Sequence, residues 1–281
     1  MIFIKFKFRV LLLLLLSASN LAFSQQGITK LSVKDCKTLQ QNNVITKSNP
    51  ISCSRLALVT FNHVDEHGII HDEGQLVVLD VIAAQVAKLT AALTQQGFMI
   101  EKARPMERYL GDDKRSMADN NTSAFNGRAI TNGKRWSLHA YGVAIDVNPV
   151  QNPFIDIAKN GTAVVSPAQS ARYAMNRLNE RVGKQPRQGM AEDVVDLFAL
   201  HGFFIWGGDW NYPIDYQHFQ VGPRRFIERL ISLPQQQARV LLEQKITLYR
   251  RCQKENKTMK KLKRRAHCAN SVIQHMKKPH V

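Results

Sequence analysis

Two stretches decide how this 281-residue chain is read. They are Ser137-Leu138-His139-Ala140-Tyr141-Gly142-Val143-Ala144-Ile145-Asp146-Val147-Asn148 and Trp206-Gly207-Gly208-Asp209-Trp210-Asn211-Tyr212-Pro213-Ile214-Asp215-Tyr216-Gln217-His218-Phe219. Residues 143–148 alternate, which predicts a half-buried strand. Val143, Ile145 and Val147 then share one face, and Ala144, Asp146 and Asn148 the other. The apolar face suits a core, so Asp146 projects from the opposite side. Gly142 permits a turn that brings His139 back toward Asp146. In the second stretch Gly207-Gly208 marks a tight loop and Pro213 fixes the approach to Ile214. His218 is the candidate third ligand. Two imidazoles and a carboxylate form a zinc donor set that leaves a fourth position for water, as catalytic sites do. Asp215 stands three residues before His218, where it can serve as general base. Asp209 is the rival base, read here as a loop-ordering acid. Trp206 reads as core and Trp210 as a groove wall.

Outward from these motifs, strands are expected at 57–61, 75–80 and 203–206. Helices are expected at 81–96, 167–182, 191–200 and 234–252. Residues 25–55 read as polar and loop-like, and 111–128 as a surface loop. Strands and helices mix without βαβ alternation, and phosphate-binding glycine loops are absent, which points to α+β with a small, largely antiparallel sheet and flanking helices. His63, His67 and His71 would line one face of a helix. Gly68 and Gly74 instead favour a hairpin, in which the three do not converge on a metal.

Apolar residues make up 44% of the chain, enough for one sizeable core. The net charge is +17, which favours anionic partners. The first 24 residues carry Lys5, Lys7 and Arg9, then an unbroken apolar run over 10–16, then Ala22-Phe23-Ser24. This is the pattern of a secretory signal peptide cut before Gln25. Removing its three cations takes the charge from +17 to +14. No transmembrane span is expected in the mature chain. Export to the periplasm or outside makes nucleic acid an unsuitable partner and an anionic envelope polymer a better one. Residues 250–281 hold eleven Lys/Arg against Glu255 alone, a basic helical tail that reads equally as a solvated surface or as a tether to such a polymer. Four cysteines in an exported chain suggest two disulfides. Three connectivities are possible, and the local pairs Cys36–Cys53 and Cys252–Cys268 are favoured. The second needs a chain reversal near 255–257, because one straight helix would hold its cysteines ~24 Å apart.

Ser-x-His-x-x-Gly-x-Ala-x-Asp followed by Asp-x-x-His resembles the signature of zinc peptidases of the D-alanyl-D-alanine carboxypeptidase and L-alanyl-D-glutamate endopeptidase family, which share the hedgehog-domain fold. Ser123-Ala124-Phe125-Asn126-Gly127-Arg128 fits the same family, and the resemblance runs from about residue 50 to 222. It implies His139, Asp146 and His218 as ligands of one zinc ion per chain and Asp215 as catalytic base. Arg128 matches the arginine that faces substrate. Ser123, Ser137 and Trp210 are expected along the substrate. Many relatives carry Glu where Asp215 stands, and Asp reaches one methylene less far. The organisation expected is a signal peptide (1–24), an N-terminal polar segment (25–49), a zinc peptidase domain (50–233) and a basic helical extension (234–281). The function implied is hydrolysis of peptidoglycan stem peptides, at L-Ala–D-Glu or at D-Ala–D-Ala. The alternative is a hedgehog-like module that binds peptidoglycan or a protein without turnover.

Overall fold

The computed structural model describes residues 27–131, 133–178 and 181–278; the expected signal peptide lies outside them. The strands are β1 (Gly27–Lys30), β2 (Leu56–Val64), β3 (Ile70–Leu79), β4 (Lys102–Ala103), β5 (Asn121–Thr122), β6 (Ala144–Asp146), β7 (Phe154–Ile157), β8 (Ala163–Ser166), β9 (Ile205–Trp206), β10 (Ile214–Asp215) and β11 (His218–Gln220). The helices are α1 (Val33–Gln41), α2 (Ala83–Gln95), α3 (Asp113–Ala118), α4 (Ala171–Ala174), α5 (Val195–Leu200), α6 (Arg224–Ser232), α7 (Gln235–Glu255) and α8 (Lys261–Lys277). Three small antiparallel sheets form, ordered β1-β2-β3, β10-β7-β8 and β6-β11-β9, with β4 and β5 pairing in parallel. The α+β class expected from the sequence is the one observed.

The first sheet is the floor. Leu56, Val59 and Phe61 of β2 and Leu76 to Leu79 of β3 are buried. Helix α2 packs on β2 through Val86, Leu89 and Leu93, the apolar stripe of its 3–4 spacing. His63 and His71 are cross-strand partners with stacked rings 5.2 Å apart, while His67 sits in the turn.

Three expectations are corrected. Residues 25–55 are not loop. Strand β1 joins the edge of β2, and α1 begins at a capping box in which the Ser32 hydroxyl accepts from the Asp35 N–H and the Asp35 carboxylate from the Ser32 N–H. Of α1 only Leu39 is buried, so apolar periodicity could not announce it; capping and the Cys36–Cys53 disulfide hold it. Residues 111–128 are not a surface loop, because 121–126 run through the interior. There the Phe125 N–H donates to Val77 O at 3.0 Å. The helix expected over 167–182 shrinks to a turn at Ala168–Ser170 and α4. Met175, Leu178 and Val182 in that stretch are exposed.

The C-terminal extension is a hairpin of α7 and α8, reversed over 256–260 and bonded by Cys252–Cys268. Leu241, Leu242, Ile246 and Tyr249 of α7 and Cys268, Ala269, Val272 and Met276 of α8 are buried in the same core as β6 and β11. Both favoured disulfide pairs are present, and no cysteine is free.

Candidate metal centre

The centre is built on backbone pairing. Strands β6 and β11 run antiparallel with His218 directly opposite Asp146 and Phe219 opposite Ile145. Cross-strand partners share a face, so His218 and Asp146 project together while Ile145 and Phe219 enter the core. On the other side of β6, Ser123 bridges to Asp146 through both backbone bonds, at 3.0 and 2.9 Å. His139 comes from the single turn Leu138–Tyr141, whose first N–H groups are capped by Ser137 Oγ accepting from His139 N. The turn ends at Gly142, φ +65°, where a Cβ would meet Leu79 N at 2.6 Å. That close approach lets the Leu79 N–H donate to Gly142 O at 2.8 Å, fastening the turn to the end of β3.

Three donor atoms converge. His139 Nε2 lies 3.2 Å from Asp146 Oδ2, His218 Nδ1 lies 3.0 Å from Asp146 Oδ1, and the two ring nitrogens are 3.2 Å apart. All three residues are buried, and among the described residues this is the group of His, Cys, Asp and Glu that could hold a metal ion.

The outer ring nitrogens settle which atoms face inward. His139 Nδ1 lies 2.6 Å from Ala124 O, a carbonyl that can only accept. His218 Nε2 lies 3.0 Å from Gln220 Oε1, and the Gln220 amide nitrogen is spent on Gly222 O. Each outer nitrogen therefore carries the hydrogen, and each inner one presents a lone pair. With both rings neutral, two lone pairs and a carboxylate face one another and suit a cation. The pKa directions show the same demand for positive charge, which a proton on His139 also meets. Burial disfavours a charged His139, yet the adjoining Asp146 carboxylate outweighs it and raises the pKa. Burial likewise opposes the Asp146 carboxylate, and the two histidines still hold it far below the usual range. The donor set fits zinc.

Asp215 sits on β10, paired with β7 opposite Phe154. Its Oδ1 is buried without a hydrogen-bond partner. Burial, and then the negative charge of Asp146, push its pKa up to about 7. The rival, Asp209, has both carboxylate oxygens engaged by Arg265 at 2.7 and 3.2 Å. It is thus held as an ion pair to α8, as expected of a loop-ordering acid. Arg128 is ion-paired with Asp113 of α3 at 2.8 Å, and its Nε is buried and unpartnered. Trp210 is half-buried, its ring 5.4 Å from that of His218. Trp206 is buried, stacks on Phe219 and donates its indole N–H to Tyr216 O. The supporting residues missed from the sequence are Ala124, Gln220, Asp113 and Arg265. Gln220 was within reach of sequence reasoning, since two residues on from His218 it shares that residue's face of the strand.

The small α+β domain thus carries a buried His/Asp/His cluster that could hold a metal ion, with the unpartnered Oδ1 of Asp215 nearby. Residues 131–221 match a family model described as D-alanyl-D-alanine carboxypeptidase. The match takes in both motifs and ends before α6; Ser123, Arg128 and the α7–α8 hairpin lie outside it. No curated protein and no solved structure matches the chain. The resemblance read from the two motifs and the match over 131–221 agree. Together with the cluster they support a zinc peptidase acting on peptidoglycan-type substrates.

Proposed function

We propose that the chain is an exported peptidase that hydrolyses an amide bond of peptidoglycan stem peptides, with zinc held by His139, Asp146 and His218. The observation that carries this is the pair of outer hydrogen bonds, to Ala124 O and Gln220 Oε1, which turn both imidazole lone pairs toward Asp146. Zinc held there would supply a Lewis acid for the scissile carbonyl and would acidify an attacking water. Asp215, with its unpartnered Oδ1, would accept a proton from the attacking water and pass it to the leaving amine. Arg128, oriented by Asp113, holds a substrate carboxylate or the developing oxyanion. Trp210 walls the groove, and Ser123 and Ser137 stand along it while bracing Asp146 and His139. The two disulfides suit an oxidising compartment. Among the described residues no helix is long and apolar enough to cross a membrane. Exposed Lys254, Lys257, Lys260, Lys261 and Lys263 provide the attraction to an anionic envelope polymer.

The test is mass spectrometry of purified muropeptides incubated with the zinc-loaded chain and with Asp215→Ala. Loss of a terminal D-Ala identifies a carboxypeptidase, and a break between L-Ala and D-Glu an endopeptidase. The expected result is one of these cleavages with the native chain and neither with the variant. Absence of any cleavage by a chain holding one equivalent of zinc would overturn the proposal in favour of a binding module.

A further inference from the structure

Helix α8 lies outside the segment that matches the peptidase family, yet it reaches the metal centre's own loop. The Arg265 guanidinium forks onto both oxygens of Asp209, Nη1 to Oδ2 at 2.7 Å and Nη2 to Oδ1 at 3.2 Å. Arg265 is only 8% exposed. The helix that carries it is not free to shift, because Cys268 binds it to α7 and Val272 and Met276 are buried in the common core. Met276 also packs against Gly222, in the turn that follows β11.

The loop on the other side of the pair packs on β10 and is tied further along by the Tyr212 O–H donating to Asp156 Oδ1 at 3.0 Å, but at Asp209 its side-chain bonds go to Arg265. It leaves β9 as Gly207-Gly208-Asp209, one short turn closed by the Trp210 N–H donating to Gly207 O at 3.2 Å, and returns through β10. The glycines offer no side chain as an anchor. Gly207 lies so close to the Asp215 backbone that a Cβ there would collide with the Asp215 carbonyl. The next residue after Asp209 is Trp210, whose ring stands 5.4 Å from that of His218. A bidentate Arg–carboxylate pair fixes orientation as well as distance, and this one fixes the residue beside Trp210.

We propose that Arg265 and Asp209 are positioning residues that set Trp210 over the metal centre, making the C-terminal hairpin a working part of the substrate groove. Neither residue touches the donor atoms. Their effect passes through the loop, so it falls on how substrate is held and not on how metal is held. The kinetic consequence rests on the function proposed above; the mechanical one does not.

The experiment compares the full zinc-loaded chain with Asp209→Asn, Arg265→Gln and Arg265→Lys. Asp209→Asn alters a half-exposed carboxylate and serves as the variant least able to disturb folding. Hydrogen exchange followed by mass spectrometry should show the Trp210 amide exchanging at least tenfold faster in Asp209→Asn and Arg265→Gln, with the amides of β11 unchanged and one zinc still bound. With a muropeptide substrate KM should rise about fivefold or more while kcat stays within twofold, and Arg265→Lys, which keeps the charge but not the fork, should recover part of the loss. Wild-type exchange at Trp210 in both variants would overturn the proposal and leave a plain surface ion pair. Loss of zinc together with faster exchange in β11 would overturn it too, by showing general damage. If the native chain cleaves nothing, the proposed function fails while the exchange measurement still decides this inference.

Discussion

The donor side chains of the metal centre stand on strands of three residues and a single helical turn, whereas the C-terminal hairpin is built from helices of 21 and 17 residues. Elements as short as β6 and β11 have no stability of their own. They position ligands well because antiparallel register leaves each residue one partner, so Asp146 and His218 meet by backbone geometry alone. The helices contribute the reverse. They carry no donor atom to the cluster, but they bring a long apolar stripe that closes the core around it. A site of short strands borrows its rigidity from neighbours, and here part of the lender lies beyond the segment that resembles known peptidases.

The strongest way to break that comparison is to end the chain at residue 233. Removal of α7 and α8 exposes Phe198, Phe204 and Leu230, whose burial the hairpin shares. We expect loss of cooperative thermal unfolding and of zinc binding. A chain ending at 233 that melted sharply and bound zinc normally would make the hairpin an appendage after all. Next in size is the contrast between His218→Ala and Asp215→Ala. The first should lower zinc affinity by at least about 100-fold, read by metal analysis after dialysis. The second should keep zinc and lose a factor of roughly 10² to 10⁴ in kcat; full activity of Asp215→Ala would dismiss it as the base. Arg128→Ala should cost about tenfold in kcat/KM, the scale of one charge-assisted hydrogen bond of ~1.5 kcal/mol, with zinc content unchanged.

The smallest effect probes the seam between the two regions. His201, just past α5, faces Gln85 of α2 at 3.3 Å, and Gln85 in turn bonds Glu243 of α7. Burial, followed by the nearby charges of Arg250 and Lys88, pushes the pKa of His201 down to about 4. The unfolded chain, with a histidine pKa near ~6.5, binds the proton first as pH falls. Stability should therefore be intact above about 6.5 and decline as pH drops toward about 4. Urea unfolding of the native chain and of His201→Gln at pH 7.5 and 5 should show the native chain losing more between the two. Equal losses would mean that this histidine plays no part in the seam.

Much of the centre was legible because its chemistry is carried by residue type. His139 and Asp146 are related by one tight turn and by strand alternation, both local, whereas His218 joins them through the pairing of β11 with β6. The first disulfide is also a local pair. For Cys252–Cys268 distance alone demanded a reversal, and the helix break follows. What escaped was held by partners distant in sequence. Helix α1 has a single buried residue and rests on a cap and a crosslink. The interior course of 121–126 could not be read from polar residues such as Asn121 and Asn126, whose side chains bond Arg104 O and Gly111 O. The apparent helix over 167–182 failed because its apolar residues find no surface to cover.

The sequence by itself therefore announced the α+β class through its periodicity and, through a motif resemblance, the three residues that the fold brings together and the acid beside them. Only the tertiary structure decided which ring nitrogens face inward, that both Asp209 oxygens are engaged while Asp215 Oδ1 is not, and that a basic tail is a folded hairpin whose Arg265 reaches the loop beside the centre. Those outcomes depend on contacts between residues 15 to 56 positions apart, such as His139 with Ala124, Arg128 with Asp113 and Asp209 with Arg265. Packing, not local preference, selects among the many such pairs a chain could form.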